Sequence, residues 1–331
     1  MLPFLSESVV PITVVVVNWN GGALLLRTLA ALATQSVAPE QVVVVDNASS
    51  DGSPDQVAQR FSWVKLRRLS QNLGFAAANN LALREEVQTP WVMLLNPDAV
   101  PQEDFLERLW QGVERYPGYS AYGCRMRRLE DPVWLDGTGD CYHPCGWGWR
   151  RDFNRLEAEG HLSPGEIFAP CAAAALYRVE DVQAIGGFDE KFFCYFEDVD
   201  LGFRLRLMGK RCFYLPDAIV CHQGSASLGY RSDFAVYYGL RNLIWCWWKN
   251  MPAGLVWRYL LAHLLFCLGY CLIAASRGQG GVALRALGAA WVKLPWVLAH
   301  RSLRSPQETA TLAMTRSWGE LYAAFRARRD V

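Results

Sequence analysis

Several features are scarce in this 331-residue sequence, and each absence narrows the class of protein. The formal net charge is only +1, which gives no general basic surface for nucleic acid. The ten cysteines form no CxxC pair, so reduced thiols are the simpler interpretation, with Cys141, His143 and Cys145 as an alternative set of zinc ligands. No basic segment precedes residues 9–17, and we therefore expect a β-strand there instead of a secretory signal.

Charged and apolar residues are unevenly distributed. Residues 253–331 carry 10 Lys/Arg and 3 Asp/Glu, whereas residues 1–252 carry 23 and 29. With 52% hydrophobic residues, the chain can build one large domain or two ordinary ones. A basic and apolar C-terminal part behind a mildly acidic globular part favours contact with anionic lipid over nucleic acid.

The first half of the chain is organised around residues 91–99. An apolar run of five residues without alternation is typical of a strand buried on both faces, and it ends in Asn96-Pro97-Asp98. Pro97 lacks the amide hydrogen that a continuing central strand needs, so the strand ends there. In open α/β sheets, ligands bind outside the carboxyl ends of the strands, which places Asp98 at a candidate binding edge.

Three earlier apolar runs predict strands at residues 12–17, 41–45 and 65–69, each followed by a polar loop. Polar and small loop residues could bind a nucleotide by hydrogen bonds or at a helix N-terminus. These residues are Asn18, Trp19, Asn20, Asp46, Asn47, Asp51, Gly74, Asn79 and Asn80. Asx-rich turns and an alanine-rich packing helix are the alternatives.

The strongest local signal of the second half is a group of three acids. Glu197, Asp198 and Asp200 follow an aromatic run and precede apolar residues at three- and four-residue steps, which predicts acids at a helix N-terminus. The helix dipole favours ionised carboxylates there, and service as helix caps is the alternative. Upstream, Trp147 and Trp149 alternate with glycines, which predicts either a mobile lid over a sugar or a surface loop.

Four polar segments, in this order, resemble the nucleotide-sugar half of an inverting family 2 glycosyltransferase: residues 18–21, 46–52, 72–80 and 96–98. Over residues 10–250 the chain is most similar to the bacterial rhamnosyltransferase-like branch. The resemblance implies an α/β fold of the GT-A type, a Rossmann-like nucleotide-binding sheet with helices on both faces. It implies a GT-A domain at 1–250, with a nucleotide-sugar half at 10–100 and an acceptor half at 101–250, before a membrane-associated helical tail at 251–331.

The resemblance also implies roles on the donor side. The acid at Asp46 contacts the nucleobase, and Asp98 ends the DxD motif that holds Mg²⁺ or Mn²⁺ against the diphosphate. Here Asn96 replaces the first aspartate, so one ionic ligand is missing, and His222, which matches the family's metal-contacting histidine, is the expected second ligand. Ala172 stands beneath the donor sugar where glycine is common in the family, which narrows the space for the sugar.

On the acceptor side, alignment of the Glu-Asp pair with the family implies that Asp198 is the base that deprotonates the acceptor hydroxyl. Glu197 would orient the acceptor or the base. The expected acceptor contacts are Trp147, Trp149, Phe196 and Asp200, the last of which also suits a helix cap.

The tail predicts two apolar helices, at residues 255–275 and 282–304. We expect them to lie in the membrane interface at the cytoplasmic face of the bacterial inner membrane. A membrane-spanning hairpin and a soluble dimerisation platform are the alternatives. The basic residues expected to support membrane contact are Lys293, His300, Arg304, Arg326, Arg328 and Arg329.

The predicted function is transfer of a sugar from a nucleotide sugar to a saccharide or polyprenyl-linked acceptor in cell-surface polysaccharide synthesis. The branch resemblance favours dTDP-rhamnose, with UDP-linked hexose or galactofuranose as alternative donors. A catalytically silent binding subunit and a nucleotidyltransferase are alternatives of other classes. The expected partners are the donor, the acceptor and the membrane surface, without nucleic acid, and a homo-oligomer stays open.

Overall fold

In the computed structural model, the chain is described at residues 8–224, 232–301 and 317–327. The strands are β1 (Val9–Asn18), β2 (Ala38–Asp46), β3 (Lys65–Arg68), β4 (Trp91–Leu95), β5 (Ala99–Pro101), β6 (Ala121–Arg128), β7 (Leu135–Gly137), β8 (Asp140–Tyr142), β9 (Gly148–Arg150), β10 (Gly165–Ile167), β11 (Ala174–Arg178) and β12 (Cys212–His222). The helices are α1 (Gly22–Ala33), α2 (Ser53–Arg60), α3 (Gly74–Glu85), α4 (Phe105–Arg115), α5 (Val179–Ala184), α6 (Glu197–Leu207), α7 (Asp233–Asn250), α8 (Ala253–Ser276), α9 (Gly280–Val292), α10 (Leu294–Ala299) and α11 (Trp318–Ala327). Short 3-10 helices lie at Glu157–Glu159 and Glu190–Phe192.

The four apolar runs of the first half form parallel strands, as the sequence predicts. β1 pairs with β2 and β4, and β2 pairs with β3, which gives the order β3-β2-β1-β4. The valine-rich parts of β1 and β2 are buried, which is typical of parallel strands covered on both faces. Because the strands run in one direction, the polar loops that follow them meet at one edge of the sheet.

The rest of the sheet brings two distant parts of the chain to that edge. β11 runs antiparallel between β4 and β6, and β12 runs parallel to β6. The short strand β5 pairs antiparallel with the end of β12 and sets Ala99 opposite His222. This pairing explains why Asp98, one residue before Ala99, lies beside a histidine from far along the chain.

Two apolar clusters cover the faces of the sheet. Val14 and Val16 of β1 belong to the cluster that includes α1 and α4, whereas Val15 and Val17 belong to the cluster that includes α3, α5 and α6. This alternation is that of an extended strand with both faces buried. The predicted α/β fold with helices on both faces of the sheet is therefore confirmed.

A third apolar cluster joins the C-terminal helices to the acceptor half. Trp245 and Trp247 of α7 share it with side chains of α8, α9 and α10 and with Tyr142, Phe168 and Phe203. The cluster crosses the predicted domain boundary at residue 250. That boundary stays a prediction.

The two predicted tail helices differ in outcome. Residues 255–275 are helical within α8, as predicted, and this helix is the candidate membrane span, by length and composition, in the part of the chain that the structure describes. The second prediction, one helix at residues 282–304, is wrong because the helix breaks at Lys293 into α9 and α10. Pro295 in the first turn of α10 cannot continue a preceding helix, since it lacks the amide hydrogen. Of the predicted basic residues, Arg304, Arg328 and Arg329 lie outside the described residues.

Candidate active site

The centre of the site is the contact between Asp98, after β4, and His222, at the end of β12. The Asp98 Oδ1 and His222 Nε2 atoms lie 3.3 Å apart, and both side chains are buried. The side-chain amide nitrogen of Asn96, Nδ2, lies 3.4 Å from the same imidazole nitrogen. The structure thus brings together, at the edge where the strands end, the three polar residues that the sequence analysis places around a metal.

Behind the imidazole lies a residue that the sequence analysis did not identify, Asp136 on β7. Its Oδ2 atom lies 2.8 Å from His222 Nδ1, and the Arg150 guanidinium of β9 contacts the same carboxylate. Burial lowers the pKa of His222, but the Asp136 and Asp98 carboxylates outweigh this effect and raise the pKa to about 9. The sequence did contain a signal for Asp136: it is an acid between apolar residues, and a buried carboxylate requires a charged or hydrogen-bonding partner.

This donor set suits a divalent cation. Asp98 offers a carboxylate oxygen, and His222 offers Nε2 once a cation displaces the proton that the raised pKa favours there, while Asp136 holds the opposite ring nitrogen, as outer-shell carboxylates do in many metal sites. A carboxylate with an imidazole is a set that Mn²⁺ accepts. Among the residues that the structure describes, no three His, Cys, Asp or Glu side chains converge on one ion. Substrate oxygens would therefore complete the coordination shell, and the zinc alternative of the sequence analysis has no support.

The loop after β2 lines an open cavity of about 420 Å³. Asp46, Ser49, Ser50 and Arg68 are among the lining residues. The Asp46 carboxylate accepts hydrogen bonds from Asn18 Nδ2 at 2.8 Å and from the Ser49 amide at 3.3 Å, which fixes its orientation at the cavity wall. Its predicted contact with a nucleobase stays a prediction, to which this position is suited.

Asn18 and Asn47 connect the polar loops to each other, and their predicted contacts with the nucleotide sugar stay predictions. The Asn18 side chain has no exposed surface, and its amide nitrogen donates to Asp46 and to two serine hydroxyls of the second loop. The buried Asn47 side chain accepts from the Leu73 amide at 2.8 Å and donates to the Gly74 carbonyl at 3.2 Å. Both amides are therefore occupied by contacts within the protein.

Gly74, Asn79 and Asn80 of α3 also make contacts within the protein, and their predicted contacts with the nucleotide sugar stay predictions. Gly74 has φ of +83°, and a Cβ there would lie 2.5 Å from the Phe193 ring, so the glycine is required by the close approach of Phe193. Asn80 binds the backbone N–H and C=O of Phe188, each at 2.8 Å. Asn79 is 1% exposed and donates to the carbonyl one turn earlier. Gly74, through its close approach to Phe193, and Asn80, through its bonds to Phe188, join α3 to the acceptor half.

Three other residues that are predicted to bind the nucleotide-sugar donor keep access to solvent. Trp19 is half-buried, and Asn20 and Asp51 are exposed. Asp51 accepts a hydrogen bond from the Gly22 amide at 2.8 Å, and Asn20 accepts one from the Ser50 amide at 2.8 Å, so both connect the first two loops. Their contacts with a donor stay predictions.

The acid pair lies at the start of α6, where the sequence analysis places it. The Ala172 amide donates to Asp198 Oδ2 at 3.1 Å. The backbone carbonyl of the following residue, Ala173, accepts a hydrogen bond from the backbone amide of Asn96 at 2.8 Å. Asp198 is therefore connected through two backbone contacts to the loop that carries Asp98. The predicted place of Ala172 beneath a sugar stays a prediction.

The two acids differ in their protonation. Burial raises the pKa of Glu197 well above its usual value, and the charge of Asp198 raises it further. Burial also raises the pKa of Asp198, although hydrogen bonds from the Ala172 and Val199 amides lower it. Within the described part of the chain, Glu197 Oε2 has no hydrogen-bond partner. The pKa of Glu197 is thus shifted upward more strongly than that of Asp198.

The Asp200 side chain is bound within the protein, and its predicted contact with an acceptor stays a prediction. Its side chain is 0% exposed and accepts hydrogen bonds from Arg204 Nε at 2.7 Å and Asn250 Nδ2 at 2.7 Å, with Lys249 Nζ at 3.0 Å. Burial alone would raise the pKa of Asp200, but the Arg204 and Lys249 charges outweigh it and lower the pKa to about 2. Asp200 is a buried ion-pair residue in the same first turn of α6 as the acid pair.

Trp147 and Trp149, for which the sequence leaves a mobile lid and a surface loop as alternatives, lie in a packed hairpin. Each indole is 7% exposed, and both belong to a cluster in which the β8–β9 hairpin packs against the tail. Trp147 stacks on Phe266 of α8, with ring centroids 5.8 Å apart. The glycines between the tryptophans therefore serve a packed hairpin, and acceptor contacts there are not supported. Phe196, half-buried and directly before the acid pair, keeps its predicted acceptor contact as a prediction.

Comparison with known proteins places this geometry in a family. Residues 10–239 match the family described as "Glycosyltransferase like family 2". The chain is 30% identical over 236 residues to the N-acetylglucosaminyl-diphospho-decaprenol L-rhamnosyltransferase of Mycobacterium tuberculosis, which covers 65% of this chain and 77% of that protein.

Two solved structures show the same fold. The mannosyltransferase PcManGT from Pyrobaculum calidifontis, in complex with GDP-Man and Mn²⁺, has a TM-score of 0.54 at 20% identity and covers 96% of this chain and 85% of its own. Residues 1–349 of S. aureus TarS, in complex with UDP-GlcNAc, have a TM-score of 0.55 at 17% identity and cover 88% and 83%. The chain therefore belongs to glycosyltransferase family 2, in its rhamnosyltransferase-like branch, and is a glycosyltransferase of the GT-A fold.

Proposed function

We propose that this enzyme transfers L-rhamnose, with inversion, from dTDP-rhamnose to a polyprenyl-diphosphate-linked N-acetylglucosamine. The observation that carries the proposal is the connection of Asp198 to the loop of Asp98 and His222 through the Ala172 amide. This connection supports the proposal of a base close to a centre suited to a diphosphate. The choice of sugar and acceptor is supported by the name of the mycobacterial relative.

The proposed transfer needs a base on the side of the acceptor. As the acceptor oxygen bonds to the anomeric carbon, the carbon–oxygen bond to the diphosphate breaks, and the nucleoside diphosphate leaves with that electron pair. Asp198 takes the hydroxyl proton, which becomes acidic only as the new bond forms, so a carboxylate is a sufficient base. The protonated Glu197 can donate a hydrogen bond that orients the acceptor.

The proposed metal ligands are Asp98 and His222, for Mg²⁺ or Mn²⁺. A bound divalent cation stabilises the negative charge that grows on a leaving diphosphate. Asp136 holds the His222 ring with Nε2 towards Asp98, and Arg150, in contact with Asp136, adds a positive charge behind the pair. Each of these contacts exists before substrate binds, so the site is preorganised.

Titration calorimetry with a panel of dTDP- and UDP-sugars, with and without Mn²⁺, tests the donor side of the proposal. We expect dTDP-rhamnose to bind most tightly and only with Mn²⁺, and Asp98→Ala to lose this binding because it removes the one carboxylate ligand. Asp217→Ala is the matched control, since it removes an exposed carboxylate on β12 that has no predicted contact with the donor. If a UDP-sugar bound more tightly, dTDP-rhamnose would be wrong as the proposed donor. If no nucleotide sugar bound, a catalytically silent binding subunit would be favoured.

We also propose that the tail lies on an anionic membrane surface. Trp257, Leu261, Leu265, Leu268 and Leu272 form an exposed stripe along α8, each between 55% and 78% exposed. Exposed basic residues flank the apolar surface at Arg258, Arg277, Arg285 and Lys293. A polyprenyl-linked acceptor would be held at this surface. The cytoplasmic face is favoured because all ten cysteines are free thiols, as in reducing compartments.

Vesicle flotation tests the membrane proposal. We expect the protein to float with vesicles that contain phosphatidylglycerol and less with neutral vesicles, and a Leu261→Glu/Leu265→Glu variant to stay in solution. Leu162→Glu, which changes an exposed leucine outside the tail, should float like the wild type. Dimerisation in solution through the same stripe, abolished by the double variant and without flotation of the wild type, would contradict the proposal and favour a dimerisation platform.

A further inference from the structure

The segment before the acid pair has an unusual backbone conformation. Phe193, Tyr195 and Phe196 have φ of 67°, 65° and 66°. Positive φ is unfavourable for bulky residues because the side chain crowds the backbone, so the conformation persists only where surrounding contacts impose it. This strained segment, residues 193–196, leads directly into Glu197 and Asp198. What imposes its conformation therefore also decides where the acid pair lies.

A single side chain of α7 binds the segment at three points. The amide nitrogen of Asn242 lies 2.9, 2.8 and 2.7 Å from the carbonyl oxygens of Phe192, Cys194 and Tyr195. The residue is 0% exposed, so water does not compete for these carbonyls. Three carbonyls converge there because the positive φ values turn successive peptide groups to one side. Asn242 satisfies the buried acceptors that this conformation creates.

The orientation of this amide is chemically fixed. Arg241 Nε donates to Asn242 Oδ1 at 2.8 Å, and because a guanidinium has no acceptor, the amide oxygen must face Arg241 and the NH₂ group must face the segment. Arg241 is itself held by bonds to the Lys191 and Phe192 carbonyls at 3.1 and 2.9 Å. Its guanidinium also lies 4.2 Å from the Trp245 ring centroid. The pair thus binds one end of the acidic region as a unit.

The same helix binds the other end. Lys249 Nζ lies 2.6 Å from Asp189 Oδ2 and 3.0 Å from Asp200 Oδ1. Asn242 and Lys249 are seven residues apart, which is close to two helical turns, so both project from one face of α7. That face therefore contacts the chain before, within and after the strained segment. The Arg-Asn pair of α7 binds the backbone before Glu197 and Asp198, and the Lys-Asn pair binds the side chains of Asp189 and Asp200, which lie on either side of them.

We propose that α7 is a positioning helix and that Asn242 is the positioning residue that fixes the strained segment, and through it Asp198, in the geometry for proton transfer. The inference rests on the proposed role of Asp198 in transfer. Asn242 touches neither the substrate nor the two acids, and it acts on the reaction through the backbone that carries Glu197 and Asp198. The donor side, at Asp98 and His222, has no contact with Asn242 in the described structure.

The test is Asn242→Asp in the full-length protein. Aspartate keeps the shape and the bond to Arg241, but it sets an oxygen against three carbonyl oxygens. We expect kcat to fall at least tenfold with the KM for the nucleotide sugar within twofold, and faster hydrogen exchange at the amides of residues 193–198. Leu243→Ala, a core substitution on the same helix at 1% exposure, controls for destabilisation and should change neither kcat nor this exchange below its melting temperature. Asn242→Ala gives a second variant without the carboxylate.

Three outcomes decide the proposal. A folded Asn242→Asp protein with kcat within twofold of wild type and unchanged exchange would overturn it. An equal loss of kcat in Leu243→Ala would also overturn it, because general destabilisation would then explain the effect. If the wild type transfers no sugar, the proposed function fails, while the exchange comparison of the two variants still shows whether Asn242 holds the segment.

Discussion

Asp198→Asn should lower kcat for sugar transfer about 10³-fold, within the usual range for loss of a general base. Asparagine keeps the shape and can still accept the hydrogen bond from the Ala172 amide, but it cannot take the acceptor proton. The loss should appear in kcat, because the donor centre at Asp98 and His222 is intact. Steady-state kinetics with titration of the nucleotide sugar measure both quantities.

Glu197→Gln is the informative comparison for this variant. Burial raises the pKa of Glu197 well above its usual value, which favours the neutral acid, and glutamine reproduces a neutral side chain of the same shape. We therefore expect Glu197→Gln to lose less than about tenfold in kcat, far less than Asp198→Asn. If the two variants exchanged these effects, Glu197 would be the base. Full turnover by a correctly folded Asp198→Asn protein would remove Asp198 from the mechanism.

Asp200→Asn should destabilise the fold by about 3–5 kcal/mol, the cost of leaving buried charges without their partner. The substitution keeps the volume but removes the charge that Arg204 and Lys249 share, at a position with 0% exposure. Denaturant unfolding measures the difference. Asp217→Asn, at an exposed position on β12, is the matched control and should leave the unfolding midpoint unchanged.

The pH dependence of stability provides a second test of Asp200. Its pKa is lowered from 3.8 to about 2 on folding, so the ionised form binds more favourably in the folded state. This contribution is complete above about pH 4 and is lost as the pH falls towards 2. The wild type should therefore lose its stability advantage over Asp200→Asn across that interval. An equal advantage at pH 2 and pH 5 would contradict the buried ion pair.

The parts of the fold that local sequence specifies were predictable. Valine runs in β1 and β2, the stop at Pro97 and the acids at the start of α6 each depend on a few neighbouring residues. Parallel strands then bring the polar loops to one edge of the sheet, so the position of Asp98 at that edge is predictable from sequence alone. His222 beside Asp98 required the family resemblance, since β5–β12 pairing is not visible in sequence.

The site residues that sequence alone describes least well share one physical property. Asn18, Asn80, Trp147 and Asp200 are polar or aromatic residues near a site, and sequence alone does not show whether the ligand or the protein occupies such a side chain. The structure shows that protein partners occupy these four residues. Asp136 was missed for the opposite reason, because its partner His222 lies 86 residues away. Contacts over such separations depend on the tertiary fold.

The central claim is tested most directly by the products of the reaction. The protein is incubated with dTDP-rhamnose, Mn²⁺ and a polyprenyl-diphosphate-linked N-acetylglucosamine, the released nucleotide is identified by chromatography, and the new linkage is examined by NMR. We predict release of dTDP and a glycosidic bond whose anomeric configuration is inverted relative to the donor. A product with retained configuration, or release of pyrophosphate, would contradict inverting sugar transfer with Asp198 as the base.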